Sequence, residues 1–271
     1  MGIFIRYSKK LAIIKYFLKF IPRSDILYKI SIWYLRHYFG FTFGDNFAKD
    51  ELNIISQVCY KRNPLLFDIG GNNGDWSLSV IKKIKNAEIH MFEPSLSVFD
   101  KARIVLQNYN VRINNLAVSD KVGNRNFFEY GTSSISSLHR NEDFLEHQID
   151  IVKTTTIDNY CFSNDLEFIN YLKIDTEGHD LYVLKGAKKM LDGRKIDCVQ
   201  FEYGPGNIHS RVLLKGILNY LSNKNYLNFR LYPSWIKPVG KYSIDLENYV
   251  LVNYISVSPN IIGKIKRYIR E

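Results

Sequence analysis

Titratable side chains gather at two places in this 271-residue chain. The first is Leu65-Leu66-Phe67-Asp68-Ile69-Gly70-Gly71-Asn72-Asn73-Gly74, with Glu93 following 23 residues after Gly70. The second is Lys173-Ile174-Asp175-Thr176-Glu177-Gly178-His179, with Glu202 further along. The first stretch is an apolar run that ends on a carboxylate and breaks into a glycine turn, and a helical pattern runs from Asp75 to about Lys85. Strand, glycine turn and helix start together bring backbone N–H groups close to a ligand. A Cβ in the turn would collide with that ligand or forbid the positive φ angles required.

The spacing is not the dinucleotide fingerprint G-x-G-x-x-G. A pyrophosphate has no use for a carboxylate at the strand end, whereas a ligand with a free amino group and a ribose does. Asp-x-Gly-x-x-x-Gly therefore favours an S-adenosylmethionine pocket over NAD. Ile89-His90-Met91-Phe92-Glu93-Pro94 reads as the neighbouring strand. Its acid falls about 20 residues beyond the glycines, where it can accept both ribose hydroxyl protons. Pro94 stops that strand and Ser95 can cap the next helix. The plainer alternatives are a turn that serves only helix–strand packing and a solvated charge at Glu93.

In the second cluster, strand alternation puts Lys173 and Asp175 on one face of Tyr171–Asp175. Glu177 and His179 fall in the turn that opens a helix from Asp180 to about Leu191. The carboxyl end of a strand is where a parallel α/β sheet keeps its chemistry. A solvated charged turn explains poorly why Lys173 sits inside the strand. Displacement of a methyl group from a sulfonium requires an aligned acceptor oxygen and removal of its proton. Lys173, Asp175, Glu177, His179 and Glu202 form the candidate catalytic set, with Asp175 or His179 as base. Glu177 and Glu202 could orient hydroxyls or, with Asp175, hold a Mg²⁺ ion through oxygen ligands. A metal-independent route is favoured, since no second acidic pair marks a dedicated site.

These groups need a frame, and the chain is long enough for one well-buried α/β domain with appendages. Strands are expected at 65–69, 89–93, 111–118, 151–155, 171–175, 197–203, 228–232 and 248–254, with helices at 50–60, 75–85, 95–108, 180–191 and 210–221. Residues 125–150 are polar and serine-rich and are expected to form a functional or mobile loop. A small residue such as Ala117 at a strand tip leaves room for a flat adenine ring. Cys59, Cys161 and Cys198 are far apart and lack metal spacing, so disulfides are not expected and a cytoplasmic setting fits.

The net charge of +10 belongs to the ends. Residues 1–44 carry eight Lys or Arg against Asp25, and residues 261–271 carry four against Glu271, leaving the body near neutral. The first segment is a basic, aromatic-rich extension in which Lys15 and Lys19 share one helical face. It could cap the main domain or a second subunit, lie on an anionic membrane surface, or touch nucleic acid. Its lysines interrupt any signal-peptide core, and no apolar run approaches the roughly 18 residues that span a bilayer. The neutral body argues against a nucleic-acid methyltransferase or binder. A noncatalytic binding module would have lost Asp68, Glu93 and Asp175, and all three are present.

From about Leu65 to Tyr203 the chain resembles the FkbM family of S-adenosylmethionine-dependent methyltransferases. The resemblance rests on Phe67-Asp68-Ile69-Gly70-Gly71-Asn72-Asn73-Gly74, Phe92-Glu93-Pro94, Ala117-Val118-Ser119-Asp120, Thr156-Ile157-Asp158 and Leu172-Lys173-Ile174-Asp175-Thr176-Glu177-Gly178. The family usually has Ala in place of Gly71 and an aliphatic residue in place of Asn73. The resemblance implies a Rossmann-like class I methyltransferase with a seven-stranded, mostly parallel sheet and helices on both faces. That domain would span 45–258, followed by a basic helix or tail at 259–271. Methyl transfer to the oxygen of a sugar, glycolipid or other small molecule is implied. By position, the turn from Asp68 through Gly70, Gly71, Asn72, Asn73 and Gly74 would hold the methionine part of the cofactor, Glu93 the ribose, and Ala117 and Val118 the adenine.

Overall fold

The computed structural model describes residues 16, 24–38, 46–61, 63–144 and 147–270. The chain divides into two compact units, Met1–Phe39 and Gly40–Glu271. The face shared by Lys15 and Lys19 lies outside the described residues. In the first unit, Asp25–Tyr38 is a helix on which Ile26, Tyr28, Ile30, Trp33 and Tyr34 are all exposed. No described helix is long and apolar enough to cross a membrane.

In the second unit the parallel strands are β1 (Leu65–Ile69), β2 (Glu88–Phe92), β3 (Val111–Asn114), β8 (Ile169–Ile174) and β9 (Ile196–Tyr203). The antiparallel strands β10 (Leu227–Tyr232), β11 (Trp235–Pro238) and β12 (Val252–Val257) complete an eight-stranded sheet of order β11-β10-β12-β9-β8-β1-β2-β3. The expected seven-stranded sheet gains an eighth strand, β11, because residues 235–238 fold back on β10 in a tight hairpin pinned by the stacked pair Tyr232–Trp235. β1, β8 and β9 are buried almost throughout, so they read as continuous apolar runs and not as alternating ones. On one face, helices Asn46–Val58 and Asp75–Lys83 bury Ile54, Ile55, Val58, Val80 and Ile81 against the sheet. Ile261 and Ile265 near the C-terminus join the same core.

Chain connectivity runs outward from β1 to β2 and β3 on one side, and from β8 to β9 on the other. β1 and β8 are therefore the switch point, and their carboxyl ends open a crevice. A second sheet of order β4-β7-β5-β6 is formed by β4 (Ala117–Val118), β5 (Gly123–Tyr130), β6 (Thr132–Ser137) and β7 (Gln148–Thr155).

Three local expectations give way. The single strand expected at 111–118 is divided between the two sheets, since Asn115 donates both to Glu93 O and Pro94 O and fastens the chain over the end of β2. The expected 125–150 loop is largely strand, because β5 pairs along its length with β7. The helix expected at 210–221 starts at Leu214, after Arg211 takes a left-handed conformation (φ 57°) that ends the short helix Gly206–Ser210.

Gly70 fixes the crevice. It has φ 76°, and a Cβ built there would lie 1.9 Å from the carbonyl oxygen of Asp175. Both the left-handed backbone and the contact with the end of β8 require glycine. Gly70→Ala should therefore lower unfolding free energy by at least ~2 kcal/mol in urea titration; an unchanged midpoint would show that the two strand ends need not approach so closely.

Candidate active site

A cavity of about 660 Å³ opens at the carboxyl ends of β1, β2, β8 and β9 and is closed over by residues of the second sheet. Its size lies within the usual range for cofactor and substrate sites. Gly70, Asn72, Glu93, Ala117 and Val118 lie on one part of its wall, and Asp175, Glu177, His179 and Glu202 on another.

Glu93 is buried, and its two carboxylate oxygens accept the backbone N–H groups of Asn72 and Ser95, each at 2.9 Å. Burial pushes its pKa up to about 7, with the two N–H bonds opposing that rise. Phe92, Pro94, Leu116, Ala117 and Val118 give the adjoining wall an apolar surface. A carboxylate able to take a vicinal diol, beside an apolar slot for a flat ring, fits an adenosine moiety.

Asp68, Gly71, Asn73, Gly74 and Lys173 are not on the cavity wall. Asp68 is fully buried, accepting from Ser77 Oγ at 2.7 Å and Lys173 Nζ at 3.2 Å. A Cβ on Gly71 would meet the side chain of Met91, and one on Gly74 that of Leu106, so these glycines serve close packing. Asn73 N donates to Asn72 Oδ1 at 2.7 Å and ties the turn together. These residues build the wall from behind.

Register explains Lys173. It lies directly opposite Asp68 across the β1–β8 pair, and its ammonium stands 3.2 Å from both Asp68 Oδ1 and Asp175 Oδ2. Burial opposes the charge, but the two carboxylates outweigh it and hold the lysine protonated. Asp175, Glu177 and Glu202 each offer an oxygen within 4.8 Å of the other two. Burial and the neighbouring Asp175 push the Glu177 pKa up to about 7. Burial and the surrounding acids raise Glu202 well above the ordinary carboxylate range. Asp180, fully buried behind them, is pushed up to about 8 by burial and Asp175. Glu177 is itself left-handed (φ 50°), a conformation costing a non-glycine residue ~1–2 kcal/mol. Gly178 and Gly206 hold it so, since a Cβ on either would strike the other loop's backbone.

The sequence marked 125–150 as a functional or mobile segment but assigned no site role to any of its residues. His139, which lies between β6 and β7, bonds through Nε2 to His179 Nδ1 at 2.8 Å. Ser137 Oγ donates to the carbonyls of Thr176 and Glu177. Leu138 and Phe144 add apolar surface, and His209 pairs with Asp143 at 3.5 Å. The length of the segment was the one available signal.

A parallel sheet with an antiparallel closing end, and a ribose-ready acid beside a carboxylate-lined recess, together define a class I methyltransferase architecture. Residues 68–228 match the family described as Methyltransferase FkbM domain, and the chain belongs to that family. It is an S-adenosylmethionine-dependent methyltransferase. No curated protein matches the chain. Among solved structures it is similar to a precorrin-6y C5,15-methyltransferase from Geobacter metallireducens (11% identity, TM-score 0.42, 76% of this chain and 85% of that one). It is also similar to the plantazolicin methyltransferase BpumL in complex with SAH (10%, 0.42, 87% and 91%). A third is fibrillarin from Aeropyrum pernix with bound S-adenosyl-L-methionine (11%, 0.41, 78% and 76%). Likenesses this distant carry no acceptor across.

The raised acids set the sign of the pH dependence. In the unfolded chain they lose their protons near pH ~4, whereas the folded chain keeps them until about 7 for Glu93 and Glu177 and about 8 for Asp180. The folded state therefore binds more protons, and stability must fall as pH rises. His139 and His179, whose folded pKa values are lowered, oppose this only below about pH 7, where the unfolded histidines still titrate. Urea midpoints should therefore drop between pH 7 and 8, and Asp180→Asn should flatten the drop; a midpoint that rises over this interval would contradict the assignment.

Proposed function

We propose that the protein transfers the methyl group of S-adenosylmethionine to a hydroxyl oxygen of a small, sugar-like acceptor. The observation that carries this is the trio Asp175, Glu177 and Glu202, which shares one cavity with the Glu93 half. Glu177, whose pKa is about 7, can both donate to and accept from neutral hydroxyls, and Glu202, raised by burial and its acidic neighbours, lies beside it. Phe127, Leu138, Phe144 and Leu251 give the same cavity an apolar wall suited to the C–H face of a sugar ring. When bound, the cofactor supplies an electrophilic methyl group on a sulfonium. The chain's own contribution is to hold the ribose through Glu93, orient hydroxyls through Glu177 and Glu202, and exclude water beneath the second sheet.

A divalent cation, if one entered, would find oxygen ligands in the same trio. The Lys173 ammonium, shared with Asp68, already sets a fixed positive charge 3.2 Å from Asp175, which supports transfer without a metal.

The test is tritium transfer from methyl-labelled cofactor to a panel of simple glycosides, with and without EDTA. Methylated glycoside formed equally in EDTA is the expected result, and Glu93→Gln should raise the KM for the cofactor about 10–100-fold, the equivalent of ~1.5–3 kcal/mol. No labelled glycoside in the whole panel would overturn the acceptor class, and activity abolished by EDTA would overturn the metal-free route.

A further inference from the structure

Asp175 is engaged by Lys173, and both ring nitrogens of His179 are engaged as well: Nε2 with Ser119 Oγ at 2.9 Å and Nδ1 with His139 Nε2 at 2.8 Å. Beyond Ser119 the line continues to Asp120 Oδ1, 3.0 Å from Ser119 Oγ, and Arg125 Nη2 holds that same oxygen at 2.8 Å. Ser119 and His179 are almost wholly buried.

Counting protons gives this line a direction. The arginine-paired carboxylate of Asp120 can only accept, so the single hydroxyl proton of Ser119 is directed at it. Ser119 Oγ must then accept from His179, which places the His179 proton on Nε2. A neutral His179 has its lone pair on Nδ1, and His139 must donate to it through Nε2–H. The remaining lone pair is His139 Nδ1, which has no hydrogen-bond partner among the described residues, on a side chain that lines the cavity.

We propose that His139 Nδ1 is the general base that receives the acceptor's hydroxyl proton, and that Ser119, Asp120 and His179 are positioning residues that fix its tautomer. The inference rests on the hydroxyl-acceptor reading. In the transfer, a lone pair of the hydroxyl oxygen forms the new O–C bond, the C–S bond breaks with its electron pair left on sulfur, and the hydroxyl proton passes to Nδ1. The resulting charge is shared along the line toward the Asp120 carboxylate.

The groups facing His139 keep it unprotonated before the reaction. Its ring lies tilted against those of His179 and Tyr182, with Arg125 on β5 and the Asp143-paired His209 beyond. Burial, Arg125 and His209 lower its pKa to about 4, and burial, His139 and Arg125 lower that of His179 to about 2. That environment holds the ring neutral at pH 7.5 and leaves the Nδ1 lone pair unprotonated before the reaction.

Long-range ¹H–¹⁵N correlation spectra of the full chain at pH 7.5, assigned with His139→Gln and His179→Gln, test the line without any acceptor. Both rings should be neutral Nε2–H tautomers, and Ser119→Ala should leave His179 a mixture of tautomers. In the glycoside assay His139→Gln should lose about 10²–10⁴-fold in kcat with little change in the cofactor KM. An Nδ1–H tautomer at His139, a protonated His139 ring at pH 7.5, or a His139→Gln kcat within about twofold of wild type would overturn the proposal. The two readings fail separately. Correct tautomers with no methylated glycoside would remove the acceptor class, whereas wrong tautomers with glycoside methylation intact would remove the line.

Discussion

One buried ammonium holds the two halves of the site together. Lys173 Nζ stands 3.2 Å from a carboxylate of β1 and 3.2 Å from a carboxylate at the end of β8. β1 carries the glycine turn of the cofactor half, and β8 leads into the acidic turn of the acceptor half. Removing one partner of a buried ion pair usually costs ~3–5 kcal/mol, because the remaining charge is left in a poor solvent. The lysine thus sets both the register of the two strands and the electrostatics of the recess.

Around that cation the cavity works by opposed environments. Glu93 is buried but caps two backbone N–H groups, which ready its carboxylate for further donors. Glu177, Glu202 and Asp180 lie close together with too little positive charge among them, so protons remain on Glu177 and Asp180 into the neutral range and Glu202 is raised as well. Two loops in contact through Gly178 and Gly206 keep Glu177 in its left-handed conformation, so the acidic recess is held by backbone sterics as well as by charge.

Much of this was legible in the sequence wherever local chemistry dictates the answer. The run Leu66-Phe67-Asp68-Ile69 followed by glycines can be little else than a buried strand ending in a turn, and Glu93 falls at the matching tip. Placement of individual side chains was less legible. Asp68 reads as a ligand-facing carboxylate, yet cross-strand register turns it toward Lys173, and register is a tertiary property. Gly71 and Gly74 read as ligand glycines, but Met91 and Leu106 fill the space beside them. His139 was invisible because its segment has no motif and acquires its role only when the second sheet folds over the crevice and brings it to His179, 40 residues away.

Calorimetric titration of the full chain with S-adenosylhomocysteine asks whether the cavity joining Gly70, Glu93 and the acidic turn holds the cofactor. Saturable one-to-one binding in the micromolar range is expected, with a negative heat-capacity change from the apolar slot beside Ala117 and Val118. A folded protein that releases no binding heat at any temperature tried, and whose thermal midpoint the ligand leaves unmoved, would contradict it.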